Sequence, residues 1–121
     1  FLRAAGRSGD AVSLAAELVK IRRAAYPAET FPNGHIDLAN SLNTLGFVLL
    51  DVGKLAAAEK VLRESLEQYR KLFPPEKFPN GDPGLYRALL NTARVVWDQG
   101  RATEAEPLMR EAPDVARKLY P

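Results

Sequence analysis

Between Leu38 and Val52 the apolar residues Leu38, Leu42, Leu45, Leu49 and Val52 recur at alternating spacings of four and three, the period of one face of a helix. After Gly53 the same spacing returns in Ala58, Leu62, Ser65, Tyr69 and Leu72. The two stripes predict a pair of amphipathic helices joined by a short turn. Gly46 on the first and Ala58 on the second are small, as the crossing of two closely approaching helices requires. The unit is a helical hairpin.

The hairpin recurs. Tyr26, Phe73 and Tyr120, each followed by Pro, stand 47 residues apart, and the residues between them align without a gap. Phe31-Pro32-Asn33-Gly34 returns as Phe78-Pro79-Asn80-Gly81, Ala58-Glu59 as Ala105-Glu106, Arg63-Glu64 as Arg110-Glu111, and Arg70-Lys71-Leu72 as Arg117-Lys118-Leu119. Self-similarity at a period of roughly 20 to 50 residues indicates an array in which each unit buries its apolar face against its neighbours. The chain is therefore expected to be all-α, an α-solenoid of antiparallel helix pairs with about two and a half repeats of 47 residues. The expected divisions are a partial repeat over 1–26 and full repeats over 27–73 and 74–121 of one repeat domain, itself a portion of a longer array.

Leu42, Leu45-Gly46, Leu49, Ala58, Leu62 and Ser65 resemble the tetratricopeptide signature in order and spacing, with Leu42 and Leu49 in place of its usual Trp and Tyr, and Arg70 where its closing Pro falls. The stretch L-A-N-S-L-N-T-L-G with G-K-L-A-A-A-E-K-V-L-R-E-S-L is most similar to the kinesin-light-chain subtype, whose repeats are longer than usual. The resemblance implies a protein-interaction scaffold whose first helices line a concave groove. It carries that groove onto Asn40, Asn43, Phe47, Leu50 and Asp51, and onto Arg87, Leu90, Arg94, Trp97 and Asp98. The Asn of the family's L-N-N-L stretch matches Asn43 in one unit and Asn91 in the next. An Asn can bond a peptide backbone through donor and acceptor, or it can bond a neighbouring helix, and both roles are open at this point. The subtype favours acidic peptide partners, and Arg87 and Arg94, seven residues apart, fall on one face. Two other roles are compatible with the pattern: self-association through open repeat ends, and a regulatory array attached to a kinase or protease elsewhere in a longer chain.

Taken in order, Phe1 to Ala5 aligns with the end of a first helix, and Gly6-Arg7-Ser8-Gly9-Asp10 with the turn, Ser8 or Asp10 capping a helix that runs to about Ala25. Its expected inward residues are Ala11, Leu14, Ala15, Leu18 and Ile21. From Tyr26 to His35 two prolines and an Asn-Gly make the connection between repeats, which Phe31 and its counterpart Phe78 are expected to pin onto the helix ends. His35 aligns with Asp82 and is expected to be a cap, with Pro83 at the first helical position of the later helix. Gly53 and Gly100 end the first helices. Thr103 and Glu106 form a capping-box pair, Pro107 falls in or near the first turn, and Pro113 breaks the last helix, with Asp114 restarting it.

Composition narrows the function classes. With 17 basic and 15 acidic residues the net charge is only +2, so the pI of 9.1 does not signal a nucleic-acid surface. The basic pairs Arg22-Arg23, Arg70-Lys71 and Arg117-Lys118 fall in last helical turns, where cations meet the negative end of the macrodipole. No apolar run approaches the ~20 residues of a membrane span. The chain has no Cys, which fits a reducing compartment and an expected cytoplasmic location. No phosphate loop, metal motif or nucleophile with base and orienter is present, so neither catalysis nor a cofactor is expected.

Overall fold

The computed structural model describes residues 5–121, all helix, turn and loop, as α1 (Ala5–Ala25), α2 (Ile36–Asp51), α3 (Leu55–Leu72), α4 (Pro83–Asp98) and α5 (Ala102–Leu119). Each helix packs on the next, and α2 also packs on α4. This is an all-α solenoid in which α2 with α3, and α4 with α5, are the two hairpins of the 47-residue repeat. Leu42, Leu62, Ala58 and Tyr69 are fully buried. A Cβ at Gly46 would overlap the Leu62 side chain, so the first hairpin closes by seating Leu62 on the bare Gly46 backbone. Gly84 plays the same part between units, receiving the Tyr69 ring of α3 at the start of α4.

The two hairpin turns are built alike. Gly53 and Gly100 have φ of +85° and +81°, which L side chains avoid. The N–H of Gly53 then reaches the Leu50 carbonyl at 3.1 Å and that of Lys54 the Leu49 carbonyl at 2.9 Å, satisfying the last carbonyls of α2. His35 caps α2, its Nδ1 accepting from the Asp37 N–H at 3.0 Å, and Asp82 caps α4 by accepting from the Gly84 N–H at 2.8 Å. In the first connection Phe31 stands edge-on to Tyr26 and His35, which stack on each other at 3.7 Å, so this Phe pins the loop onto the ends of α1 and α2. Phe78 stands edge-on to Phe73 at 5.0 Å but keeps 40% of its surface exposed.

Several expectations fail. The chain is helical through Gly6 to Asp10, and Gly9 is not left-handed, so no turn forms there. At Gly53 and Gly100 helices on both sides hold the turn, whereas among the described residues α1 packs on α2 alone and its hydrogen-bond ladder simply continues. The expectation for Phe1 to Ala5 falls on residues 1–4, outside the described residues, apart from Ala5. On α1 the buried pair is Ala15 and Val19, while Leu14, Leu18 and Ile21 are exposed. Leu18 stands in register with Ser65, whose hydroxyl meets the Ala39 carbonyl of its own hairpin partner, and α1 has no such partner among the described residues.

The last helix also starts early and does not break. Arg101 is its N-cap, so Thr103 is already inside the helix, no capping box forms, and Pro107 is interior. α5 runs through Pro113 to Leu119. Pro113 is exposed, so water can serve the carbonyl that it leaves without a donor, and its fixed φ is itself helical.

Candidate functional site

Because α2 and α4 lie side by side, their solvent faces form two rows in register. On α2 the row is Asn40, Thr44, Phe47 and Asp51; on α4, 47 residues later, it is Arg87, Asn91, Arg94 and Asp98. All are exposed except Asn91, which is half-buried. Two hydrogen bonds to Asn amides tie the floor together. Asn91 Nδ2 donates to Asn43 Oδ1 at 3.1 Å, and Asn43 is 7% exposed, so these residues bond across from α4 to α2. Asn40 Oδ1 accepts the hydroxyl proton of Tyr69. Burial pushes that hydroxyl up to about 12, against the opposing pull of the Arg87 guanidinium, so Tyr69 is a donor at any ordinary pH.

The charges differ along the α4 row. Arg94 lies 3.6 Å from Asp98 in an exposed pair one turn apart, while Arg87 has no ion-pair partner among the described residues. Leu50 is 4% exposed and belongs to the core cluster that holds Val95 and Val96 of α4. Its counterpart Trp97 is 54% exposed and borders a shallow hollow with Met109 of α5. Leu90 is exposed where Asn43 is buried, and Met109 where Leu62 is buried. Trp97, Leu90 and Met109 therefore occupy the flank of the last hairpin that, in the preceding hairpin, the next unit covers. Sequence reasoning groups Trp97 with the rows; in the structure it lies on this flank.

Away from the rows lie contacts that periodicity alone does not reveal. Arg23 holds Glu64 through two bonds of 2.5 and 2.7 Å, and Arg70 holds Glu111 through two of 2.7 and 2.9 Å. Each pair joins one second helix to the next, and each guanidinium is driven further toward its charged form by its Glu. Both pairs recur in register, which was the available signal. Glu59 of α3 accepts from Arg101 at 2.7 Å, Gln99 at 2.9 Å and Arg63 at 2.7 Å. The Arg101 bond leads in holding its carboxyl down to about 2. No group of His, Cys, Asp and Glu suited to a metal ion occurs among the described residues, and no described helix is long and apolar enough to cross a membrane.

A family model described as Tetratricopeptide repeat matches residues 38–78 and 87–121. No curated protein and no solved structure matches the chain.

Proposed function

Since this chain belongs to the tetratricopeptide-repeat family, we propose that it is a non-catalytic protein-interaction array whose paired rows on α2 and α4 hold an extended or short helical peptide carrying acidic residues. The observation that carries this reading is the Arg87 and Arg94 pair. Seven residues at 1.5 Å rise set their Cα atoms about 10 Å apart on one exposed face. Asp98 does not close the site, because an exposed pair one turn apart contributes only ~0.2–1 kcal/mol and a ligand carboxylate competes with it. Asn91 keeps its carbonyl oxygen and a second N–H for main chain, while Asn43 is buried. The 47-residue period and the L-A-N-S-L-N-T-L-G stretch support the kinesin-light-chain-like subtype, with repeats at 27–73 and 74–121. The lack of Cys supports a cytoplasmic setting.

Binding of an acidic peptide library should weaken as salt rises from 0.1 to ~1 M, since the Debye length shrinks from about 10 to 3 Å. Arg87→Ala or Arg94→Ala should weaken it too, while Lys60→Ala on α3 leaves it unchanged. Equal loss from Lys60→Ala, or binding indifferent to salt and to both Arg changes, would remove the reading.

Self-association is the second reading, favoured by the exposure of Trp97, Leu90 and Met109 where the preceding unit has buried residues. On that reading light scattering shows a mass that rises with concentration and that Trp97→Glu holds at the monomer. A concentration-independent mass excludes it.

A further inference from the structure

The second helices α3 and α5 do not pack backbone against backbone, and neither do α1 and α3. Each gap is bridged by one Arg–Glu pair and roofed by the long connection between repeats. Under each roof lies a hollow, of about 320 Å³ between α1 and α3 and about 360 Å³ between α3 and α5. The two hollows are the same architectural site, since Arg23, Phe31, Pro32, Gly34, Glu64 and Lys71 of the first stand in register with Arg70, Phe78, Pro79, Gly81, Glu111 and Lys118 of the second.

They differ in chemistry, and the differences run one way. Tyr26, Ala28 and Gln68 of the first hollow become Phe73, Pro75 and Val115 in the second. The Tyr26 hydroxyl is engaged by Asp37 at 3.0 Å, and the Gln68 amide fills the space beneath Gly34. In the second hollow no polar group takes those places, and the Phe78 ring is 40% exposed over an apolar wall. The charged residues match in sign, Arg23, Glu64, Glu67 and Lys71 against Arg70, Glu111, Asp114 and Lys118, but they pair differently. Lys71 of the first hollow lies 3.8 Å from Glu67. In the second, Arg70 and Glu111 satisfy each other and Asp114 pairs with Arg117, so Lys118 has no ion-pair partner among the described residues. An exposed aromatic, a Val wall and an ammonium left without an ion pair, while the neighbouring Glu111 and Asp114 carboxylates are engaged by Arg70 and Arg117, call for an apolar group with a negative charge beside it.

We propose that the hollow between α3 and α5 binds a short peptide segment, its large apolar side chain lying over Phe78 against Val115 and an adjacent carboxylate on Lys118. The first hollow, where the Gln68 amide stands in place of the Val115 wall, does not bind this segment. The site is separate from the rows on α2 and α4 and uses none of their residues.

The probe is the acetylated, amidated tetrapeptide GLEG, compared with GAEG and GLQG and titrated to millimolar concentration into the isotope-labelled chain. Amide shifts should move at Phe78, Gly81, Val115 and Lys118, and not at Phe31 and Gly34. GAEG should fail to bind, and GLQG should bind about two- to five-fold more weakly, the range of one exposed ion pair. Lys118→Gln should bring GLEG to the affinity of GLQG and leave GLQG unchanged. Val115→Gln, the residue that the first hollow carries, should abolish binding with the thermal melt retained. If that melt is lost, the exposed Lys118→Gln variant decides alone. The Arg87→Ala, Arg94→Ala double variant should bind GLEG normally, so the two proposed sites fail independently. Absence of shifts with GLEG, equal shifts at both hollows, equal affinity for GLEG and GLQG, or loss of binding in the double Arg variant overturns the proposal.

Discussion

Leu62 on Gly46 is the contact that sets the hairpin register, and a double-mutant cycle tests it by sign. Gly46→Ala alone brings two opposed effects. In a helix interior Ala is preferred over Gly by ~0.8–1.0 kcal/mol. Against this, the new Cβ overlaps Leu62, which is fully buried and cannot swing into solvent, so the helices must part or Leu62 must leave its rotamer, at ~1–3 kcal/mol. The expected net effect is a loss of about 1 kcal/mol. Leu62→Ala alone loses ~2–5 kcal/mol, because it opens a cavity in the core. In the Leu62→Ala background the overlap is gone while the helix preference remains, so Gly46→Ala should now stabilise by ~0.5–1 kcal/mol. The two changes then couple by about 2 kcal/mol, well above the ~0.5 kcal/mol that independent sites show. Urea unfolding followed by circular dichroism measures all four corners, with equal m-values required for the comparison. Additive effects, or a stabilising Gly46→Ala in the parent chain, would refute the packing of Leu62 on Gly46.

Two further outcomes are expected. Pro113 is exposed inside a continuous α5, so Pro113→Ala restores a backbone donor without changing the core and should stabilise by ~1–3 kcal/mol in the same urea titration; a neutral or destabilising result would mean that the proline ring itself makes contacts. Glu59 is held at about 2 in the folded chain against an ordinary 4.5, so its contribution is present above pH 4.5 and lost as the pH falls from there toward 2. The melting midpoint of Glu59→Gln should therefore be lower near neutral pH and converge on that of the parent near pH 2. Parallel curves over this range would exclude the Arg101 bond as the cause.

The fold was legible because a gapless period carries more information than any local propensity. Leu42, Leu45, Leu49, Ala58 and Leu62 are buried as the stripe requires. The errors share a physical cause, since local rules assume the local context on which they were formed. Gly6 to Asp10 has the composition of the Gly53 turn, but among the described residues it has no hairpin to close. Thr103 and Glu106 have capping-box spacing, but Arg101, fixed by Glu59 and Glu104, starts the helix before them. The rows on α2 and α4 follow from the register, because exposure on a repeated face repeats. Trp97 departs from that logic: the exposure of a flank depends on what covers it, and Leu50 and Trp97 hold one register position with opposite burial.

The length of the repeat connects these features. Consecutive second helices do not meet beneath the connections that carry Phe31 and Phe78, and the Arg23–Glu64 and Arg70–Glu111 pairs span the gaps. Such pairs are 44–48% exposed on the Arg side and add little to stability, so the second helices are held mainly by their packing on the first helices between them. The first helices have no such gap, because α2 and α4 pack directly. The array thus has a closed inner row, where residues from two units act together, and an open outer edge, where each junction forms its own hollow. Substitutions at positions 68 and 115 leave the register of the array intact, since Leu42, Leu45, Leu49, Ala58 and Leu62, which set it, line neither hollow. That independence is what permits Tyr26 and Gln68 to occupy one junction and Phe73 and Val115 the next within the same 47-residue frame.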